Sequence, residues 1–323
     1  MIRHFVDLFD LTPQAARELL QLAIVIKREE QEGNRRLYLP GQMLGLLFEK
    51  PSLRTRVSFE AAMAQLGGSS IFLRGEEVGL GKRETIADFA RVISQYVDVL
   101  TVRTFAQSNV EELARYATVP VINALSDSAH PCQAMADILT IHEALGELDG
   151  IRLVFVGDGN NVARSLALAC ALLGLEFVLT CPPDYDFPAE FRDQYTRTFP
   201  GVPLNVEHDP SKAVRDAHVV YTDIWTSMGQ EAESAKRLEA FRAYQVNAAM
   251  FRLASPDAIF LHCLPAHREE EVTADVIDGP RSLIIPQAAN RLHFQKALLV
   301  WLMQDKTNDG QGQPAQARAR TTV

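Results

Sequence analysis

The sequence predicts an α/β protein of two domains, each a parallel sheet flanked by helices, with the C-terminal helix returning to the first domain. Three observations carry that expectation. Short apolar strands alternate with helical segments over most of the 323 residues. The alternation comes in two series, parted near residues 146–150 by a polar stretch between Gly146 and Gly150. One further helical segment, over 291–305, follows the second series. The expected division is 1–148, 149–290, a helix over 291–305 that packs on the first domain, and a disordered polar tail over 306–323.

In the first series, LTPQAARELLQLAIVIKREEQ has helical periodicity, with Thr12 placed to cap and Pro13 at the first helical position. MLGLLFE is short and apolar enough for a buried strand. TRVSFEAAMAQLGG reads as a helix stopped by Gly67 and Gly68. SSIFL is a strand, and GEEVGLGKRE a polar loop. TIADFARVISQYV and VEELARYA are helices; DVLTVRT and VPVINA are strands. HPCQAMADILTIHEALG is a helix whose Met135, Ile138, Leu139, Ile141 and Leu145 form a buried stripe. The second series opens with the strand IRLVFVGDG and the helix ARSLALACALLG. It continues through EFVLTCP, a helix near 188–198, AHVVYTD, a helix near 234–246, the strand AIFLHCLP and SLIIPQ.

Composition narrows the function classes. Hydrophobic residues make up 47% and charged residues 23%, ordinary values for a globular enzyme. A net charge of −9 argues against general affinity for nucleic acid or acidic membranes. MIRHFVDLFDLTPQ has no signal-peptide core. The most apolar stretch, 166–181, is interrupted by Glu176 and is too short to span a bilayer. Cys132, Cys170, Cys181 and Cys263 are scattered with no CxxC pair. Reduced thiols in a cytoplasm are expected, not a disulfide framework or a zinc site.

Five stretches could carry chemistry. In PSLRTR, at a strand-to-helix turn, free backbone N–H groups attract an anion. Ser52 and Thr55 add hydroxyl donors there, and Arg54 a guanidinium fork suited to phosphate oxygens. Arg56 has Glu60 four residues on as a partner, as in an ordinary solvated turn; Arg54 has none in view. In SAHPCQ, Pro131 suits the first helical position, so His130 and Gln133 lie together at a helix start. They read either as a capping histidine and its neighbour or as paired donors to a polar ligand. VGDGNN resembles the start of a dinucleotide fingerprint, but Val162 stands in place of its third glycine and EFVLTC ends in no acidic residue. Asn161 remains a candidate contact, because the carboxyl ends of parallel strands are where such sheets bind ligands. In DIWTSMG, Asp223 could accept from an ammonium, and Ser227 with the backbone at Gly229 could donate to a carboxylate; the alternative is an ordinary loop. In HCLPAH, His262 and His267 make a poor metal pair across a proline, and Cys263 reads as reactive or as buried and inert.

Together these stretches resemble the ornithine carbamoyltransferase family over nearly the whole chain, to about residue 304. FEKPSLRTRVSFE looks like that family's carbamoyl-phosphate motif, and HPCQ, SMG and HCLP appear in its order. The first two motif types are shared with aspartate carbamoyltransferases; SMG and HCLP point to the ornithine branch. The resemblance implies a homotrimer or a multiple of it, no metal and no organic cofactor. It implies transfer of the carbamoyl group of carbamoyl phosphate to L-ornithine, giving L-citrulline and phosphate, in arginine biosynthesis. By position, carbamoyl phosphate falls to Ser52, Leu53, Arg54 and Thr55, to Arg103 in VRTF, and to His130, Gln133 and Arg291 in ANRL. Asn161, Asp223, Ser227 and Met228 fall to ornithine, and Cys263 and Leu264 line the reaction centre against carbamoyl phosphate.

The implied chemistry suits these residue types. The δ-amine attacks a carbonyl carbon, and Thr55, Arg103 and His130 are placed to stabilise the oxyanion. Cys263 is assigned to positioning the amine or accepting its proton, with no covalent role. Leu53 stands where the family usually has threonine, and Gly79 where many members have a phosphate-binding glutamine. Lys82, three residues on, reads either as its replacement, reaching the site of a neighbouring subunit as a lysine does in aspartate carbamoyltransferases, or as a solvated surface lysine paired with Glu84 or Glu76. The nearest alternative is a sibling enzyme acting on putrescine or an N-acylated ornithine. N-acetylornithine enzymes resemble HCLPARR, and His267 in HCLPAH favours free ornithine. A nicotinamide-dependent dehydrogenase and a catalytically silent paralogue are more remote; intact Arg54, Arg103, His130 and Cys263 argue against silence.

Overall fold

A computed structural model describes residues 2–226 and 231–308. The tail expected to be disordered lies outside the described residues from 309 onward, as do Ser227 and Met228. Two parallel sheets form. The first contains β1 (Met43–Phe48), β2 (Ser69–Arg74), β3 (Val99–Arg103) and β4 (Val121–Leu125), in the order β2-β1-β3-β4. The second contains β5 (Arg152–Val156), β6 (Glu176–Thr180), β7 (Asn205–Val206), β8 (Val219–Thr222) and β9 (Ile259–His262), in the order β7-β6-β5-β8-β9. Each sheet reverses its strand order once, between β1 and β3 and between β5 and β8. In such sheets ligands bind beyond the carboxyl ends of the strands at that reversal. The four turns there are PSLRTR after β1, the segment from Arg103 at the end of β3, GDGNN after β5, and Asp223 after β8.

The longer helices follow in chain order. They are α1 (Pro13–Gln31), α2 (Leu53–Gln65), α3 (Ile86–Ile93), α4 (Gln107–Tyr116), α5 (Pro131–Leu145), α6 (Asn161–Leu173), α7 (Ala189–Thr198), α8 (Ser234–Phe241) and α9 (Ile284–Asn308). Thr12 caps α1 by accepting from the Ala15 N–H at 3.1 Å, with Pro13 at the first position. Ser52 caps α2 by accepting from the Thr55 N–H at 3.4 Å. The loop expected over GEEVGLGKRE contains one short helical turn, Gly75–Val78, closed by Gly79 at φ +58°. A glutamine side chain at 79 would be strained in that left-handed conformation.

As expected, the last helix returns to the first domain, where α9 packs on α1, α5 and α2. It begins at Ile284, earlier than residue 291. Pro286 falls in its first turn, where a missing N–H costs no helical bond, so the proline does not end the apolar run. Asn290 on α9 is fully buried. Its amide donates to Thr140 at 3.0 Å and Glu143 at 2.8 Å, while its carbonyl accepts from Lys27 at 2.7 Å. That network fixes the rotation of α9 and so the direction of Arg291. One hydrophobic core, from Phe5 to Met303, runs through α1, α5, α6 and α9 and joins the inner faces of both sheets. Among the described residues no helix is long and apolar enough to cross a membrane.

The chain start adds a strand-like contact that local pattern does not announce. The Phe5 N–H donates to the Val121 carbonyl, and the Asn123 N–H donates to the Phe5 carbonyl, both at 2.8 Å. Asp7, just beyond, accepts from the Phe9 N–H at 3.2 Å. Burial pushes its carboxyl up to about 6, helped by the charges of Asp10 and Glu111 and opposed by the backbone bonds. A raised folded pKa favours the protonated folded form. The resulting stability is present below the ordinary carboxylate pKa of 3.8 and is lost as pH rises through about 6. Asp7→Asn keeps an oxygen for the cap. It is expected to be more stable than the parent at about pH 8 by on the order of 1 kcal/mol, discounted for partial exposure, with the gap shrinking at about pH 5. Melting temperatures of both proteins at the two pH values check this; parallel curves would contradict it.

Candidate active site

The two strand-order reversals face each other across a cavity of about 410 Å³. Ser52, Leu53, Arg54, Thr55, Arg103, His130, Gln133, Arg291, Asn161, Asp223, Cys263 and Leu264 all line it. Lys82 does not: it is exposed, and its N–H donates to the Gly79 carbonyl at 2.8 Å. Lys50 lines the cavity as well, its ammonium 4.5 Å from the centre of the Phe105 ring. The sequence placed no role on it, although it sits two residues before Ser52.

One end of the cavity is basic. Arg103 ends β3 opposite Phe48 of β1 and is 6% exposed; Arg291 is 5% exposed. Burial, then the charges of Arg291 and Arg54, pushes Arg103 down to about 10. Arg291 is also lowered, chiefly by burial. Its guanidinium donates to the Thr55 hydroxyl at 2.5 Å. No carboxylate pairs with Arg54, Arg103 or Arg291 among the described residues, whereas Arg56 pairs with Glu60 at 2.9 Å, as its spacing predicts. Three guanidinium groups are thus held together without a counter-ion, an arrangement that costs free energy until an anion enters.

His130 does not cap α5: its side chain makes no capping bond. The ring is buried, and burial, then Arg291 and Arg103, lowers its pKa well below the ordinary value, so it is neutral at pH 7. Four buried atoms at this end have no partner among the described residues: Arg103 Nε, His130 Nδ1, Gln133 Oε1 and Arg291 Nε. A buried polar atom left unbonded costs about 1–3 kcal/mol, so a ligand that satisfies them is favoured over an empty site.

The opposite end is acidic. Asp223, 8% exposed, accepts from the Cys263 thiol at 3.1 Å and the Ile224 N–H at 2.8 Å through Oδ1. Its Oδ2 accepts from the Asn160 amide at 3.2 Å. Burial and the Asp223 carboxylate hold the Cys263 thiol well above its usual pKa. It is therefore a protonated donor at neutral pH, which suits positioning better than accepting a proton. Asn161 donates to the Ser126 carbonyl at 2.8 Å, tying α6 to the turn after β4.

Two supporting frames were not visible in the sequence. His262 is buried at the end of β9; its Nδ1 accepts from the Leu264 N–H at 2.9 Å. The ring proton therefore sits on Nε2 and points to Glu271 at 3.2 Å. This holds Leu264 at φ +59°, a left-handed conformation costly for leucine. In the second frame, buried Arg237 binds Asp158 and the Trp225 carbonyl and lies over Tyr185, fixing the segment after Asp223. The first frame closes across an irregular loop that no period describes, and the second joins residues 79 positions apart.

Asp223, His262 and Cys263 bring donor atoms within 4.8 Å of one another. Their lone pairs and protons are already committed to each other, to Leu264 and to Glu271, so the trio reads as a hydrogen-bonded frame and not as cation ligands. A dinucleotide fits GDGNN poorly. The Asn160 side chain occupies the Val162 and Ala163 N–H groups that a pyrophosphate would need. A side chain at Gly159 would come within 2.7 Å of the Phe187 backbone, so that glycine serves packing.

Fold and cavity together define a two-domain α/β enzyme whose facing switch points set uncompensated arginines on one sheet against a buried carboxylate on the other. The carbamoyl-P binding domain of the aspartate/ornithine carbamoyltransferases matches residues 3–143, and their Asp/Orn binding domain matches 149–302. The chain belongs to the aspartate/ornithine carbamoyltransferase family. It is 50% identical over 304 residues to an ornithine carbamoyltransferase of Anoxybacillus flavithermus, covering 93% of this chain and 96% of that protein. An anabolic ornithine carbamoyltransferase of Pyrococcus furiosus is 49% identical, covering 93% and 96%. The solved structure of ornithine carbamoyltransferase from Pyrococcus furiosus superposes with a TM-score of 0.90 at 48% identity, covering 94% of this chain and 97% of that one.

Proposed function

We propose that this protein transfers the carbamoyl group of carbamoyl phosphate to the δ-amino group of L-ornithine, giving L-citrulline and phosphate. The observation that carries the reading is the set of unpartnered buried atoms beside three unpaired arginines. Carbamoyl phosphate has phosphate oxygens for the guanidinium groups, a carbonyl oxygen for donors, and an NH₂ for the free Gln133 Oε1. Ser52, Leu53 through its N–H, Arg54, Thr55, Arg103 and Arg291 hold the phosphate. Thr55, Arg103 and His130 face the carbonyl oxygen, with Leu264 and Cys263 closing the far side. Asp223 takes the ornithine ammonium, with Asn161, Ser227 and Met228 on the rest of the amino acid. Residues 1–148 serve the first substrate and 149–290 the second, while the helix over 291–305 returns Arg291 to the first.

The δ-nitrogen, after losing a proton, bonds to the carbonyl carbon. Negative charge moves to the carbonyl oxygen and is met by Arg103, Thr55 and His130. The oxygen's pair then returns, the bond from the carbonyl carbon to the bridging oxygen breaks, and phosphate leaves with the bonding pair and takes up the second proton of the attacking nitrogen. No residue of the chain is acylated. Cytoplasmic arginine biosynthesis is the proposed setting, without metal or organic cofactor. An assay of carbamoyl phosphate with ornithine, putrescine, N-acetylornithine and aspartate tests the reading. Citrulline and phosphate should appear in equal amounts with ornithine; faster turnover of another amine would overturn it.

A homotrimer or a multiple of it is the proposed assembly. Leu53 and Val57, one turn apart on α2, are 79% and 51% exposed, and Ile71 on the edge strand β2 is 43% exposed. An apolar surface beside the phosphate turn suits a second copy of the chain. Lys82 then reaches a neighbour's cavity in place of the glutamine absent at Gly79. Lys82→Ala and Arg103→Ala should each be nearly inactive. Refolded together, they should regain part of the activity, since some sites then draw both residues from intact chains. Full activity of Lys82→Ala alone would remove Lys82 from the site.

A further inference from the structure

Asp137, one turn after Gln133 on α5, is fully buried and receives three hydrogen bonds from three elements. Its Oδ1 accepts from Gln133 Nε2 at 2.8 Å and from Gln287 Nε2, on α9, at 2.7 Å. Its Oδ2 accepts from the Tyr221 hydroxyl, on β8, at 3.0 Å. With all three partners donating, the site as built holds the carboxylate; a protonated Asp137 would need the Tyr221 hydroxyl turned to accept. Burial pushes that carboxyl up to about 7, and the hydrogen bonds from Gln287, Gln133 and Tyr221 and the Arg291 charge pull it back.

A glutamine amide turns about its last torsion between two similar wells, presenting either oxygen or nitrogen to a given side. An acceptor-only carboxylate removes that choice. It takes the Gln133 nitrogen, which leaves the unpartnered Oε1 as the atom available to the cavity. The same carboxylate sets Gln287, whose Oε1 accepts from the His262 N–H at 2.9 Å. One buried oxygen therefore orients an amide on the carbamoyl side and ties it to the β9 end that carries Cys263 and Leu264.

We propose that Asp137 is a positioning residue: it fixes the Gln133 amide with oxygen toward the cavity and so makes the site select an NH₂-bearing acyl phosphate. The inference rests on the carbamoyl-phosphate reading above. Selection is for the amide nitrogen, not the phosphate, so a ligand pair that differs only there isolates it. Phosphonoacetamide carries the NH₂, and acetonylphosphonate carries a methyl in its place.

Calorimetry of both ligands with the full chain is the test. The parent should prefer phosphonoacetamide by about 10- to 100-fold, the scale of a buried hydrogen bond. Asp137→Ala should lose most of that preference by weakening phosphonoacetamide alone, with acetonylphosphonate affinity unchanged. Asp137→Asn should restore it to within about threefold, because one amide oxygen can serve both glutamines while Tyr221 turns its hydroxyl to accept. Gln133→Ala, which leaves Asp137 in place, should lose the same preference. A preference that survives in Asp137→Ala or in Gln133→Ala would overturn the inference, as would equal weakening of both ligands in Asp137→Ala. A parent that binds neither ligand would overturn the carbamoyl-phosphate reading and this inference with it.

Discussion

Arg103→Ala is expected to lower turnover about a thousandfold while leaving the protein as stable as the parent or more so. The rate loss follows from position. Arg103 ends β3 at the first sheet's reversal, is almost wholly buried, and has an unpartnered Nε. In the proposed reaction it faces both the carbonyl oxygen, where charge develops, and the phosphate that leaves. Removing one preorganised donor from such a site costs about 10²–10³ in rate, and this residue supplies donors for two purposes. The stability expectation has the opposite sign to most buried deletions. Arg291 and Arg54 lie close enough to depress the Arg103 pKa, so the empty site stores repulsion among like charges. Deleting one of them relieves it. Steady-state kinetics with a melting curve checks both halves. A fall in melting temperature matching the loss of activity would mean that Arg103 is structural.

Asp223→Asn is expected to weaken ornithine binding by ~1.5–3 kcal/mol, the scale of a hydrogen bond to a charged group. The replacement keeps the shape and one oxygen for the Ile224 N–H. It removes the only carboxylate lining the cavity among the described residues and the acceptor that holds the Cys263 thiol. Carbamoyl-phosphate affinity should hardly change, because Asp223 lies on the second sheet and the phosphate groups on the first. The KM for ornithine should rise by about 10- to 100-fold, with a smaller drop in kcat from the loosened thiol. Unchanged ornithine kinetics would exclude Asp223 as the anchor.

What sequence reveals here is what local chemistry controls. Thr12 and Pro13 start α1 where the pattern places it, and the apolar runs become the strands. PSLRTR is legible because cap, hydroxyls and cation sit within six residues of one turn. Sheet order is not legible, since nothing in β1 says that β2 and β3 both pair with it. His130 looks like a cap because it precedes Pro131, but burial against two arginines gives it a different task. Arg237 and Gln287 carry no local signal, because each acts through partners that only the folded chain brings near; Asp137 stands one turn from Gln133, but Gln287 and Tyr221 reach it only in the fold. The start of α9 is not legible, because SLIIPQ reads as the close of the second series, whereas Pro286 falls in the first turn of the helix.

The central claim is that a single cavity holds an acyl phosphate on the first sheet and an amino acid on the second, close enough for direct transfer. A covalent fusion of the two substrates, with a phosphonoacetyl group on the δ-nitrogen of L-ornithine, reports on that arrangement in one titration. The fusion should bind once per chain and far more tightly than phosphonoacetamide. Arg103→Ala and Asp223→Asn should each weaken it. Binding no tighter than phosphonoacetamide, or unaffected by Asp223→Asn, would contradict the shared cavity.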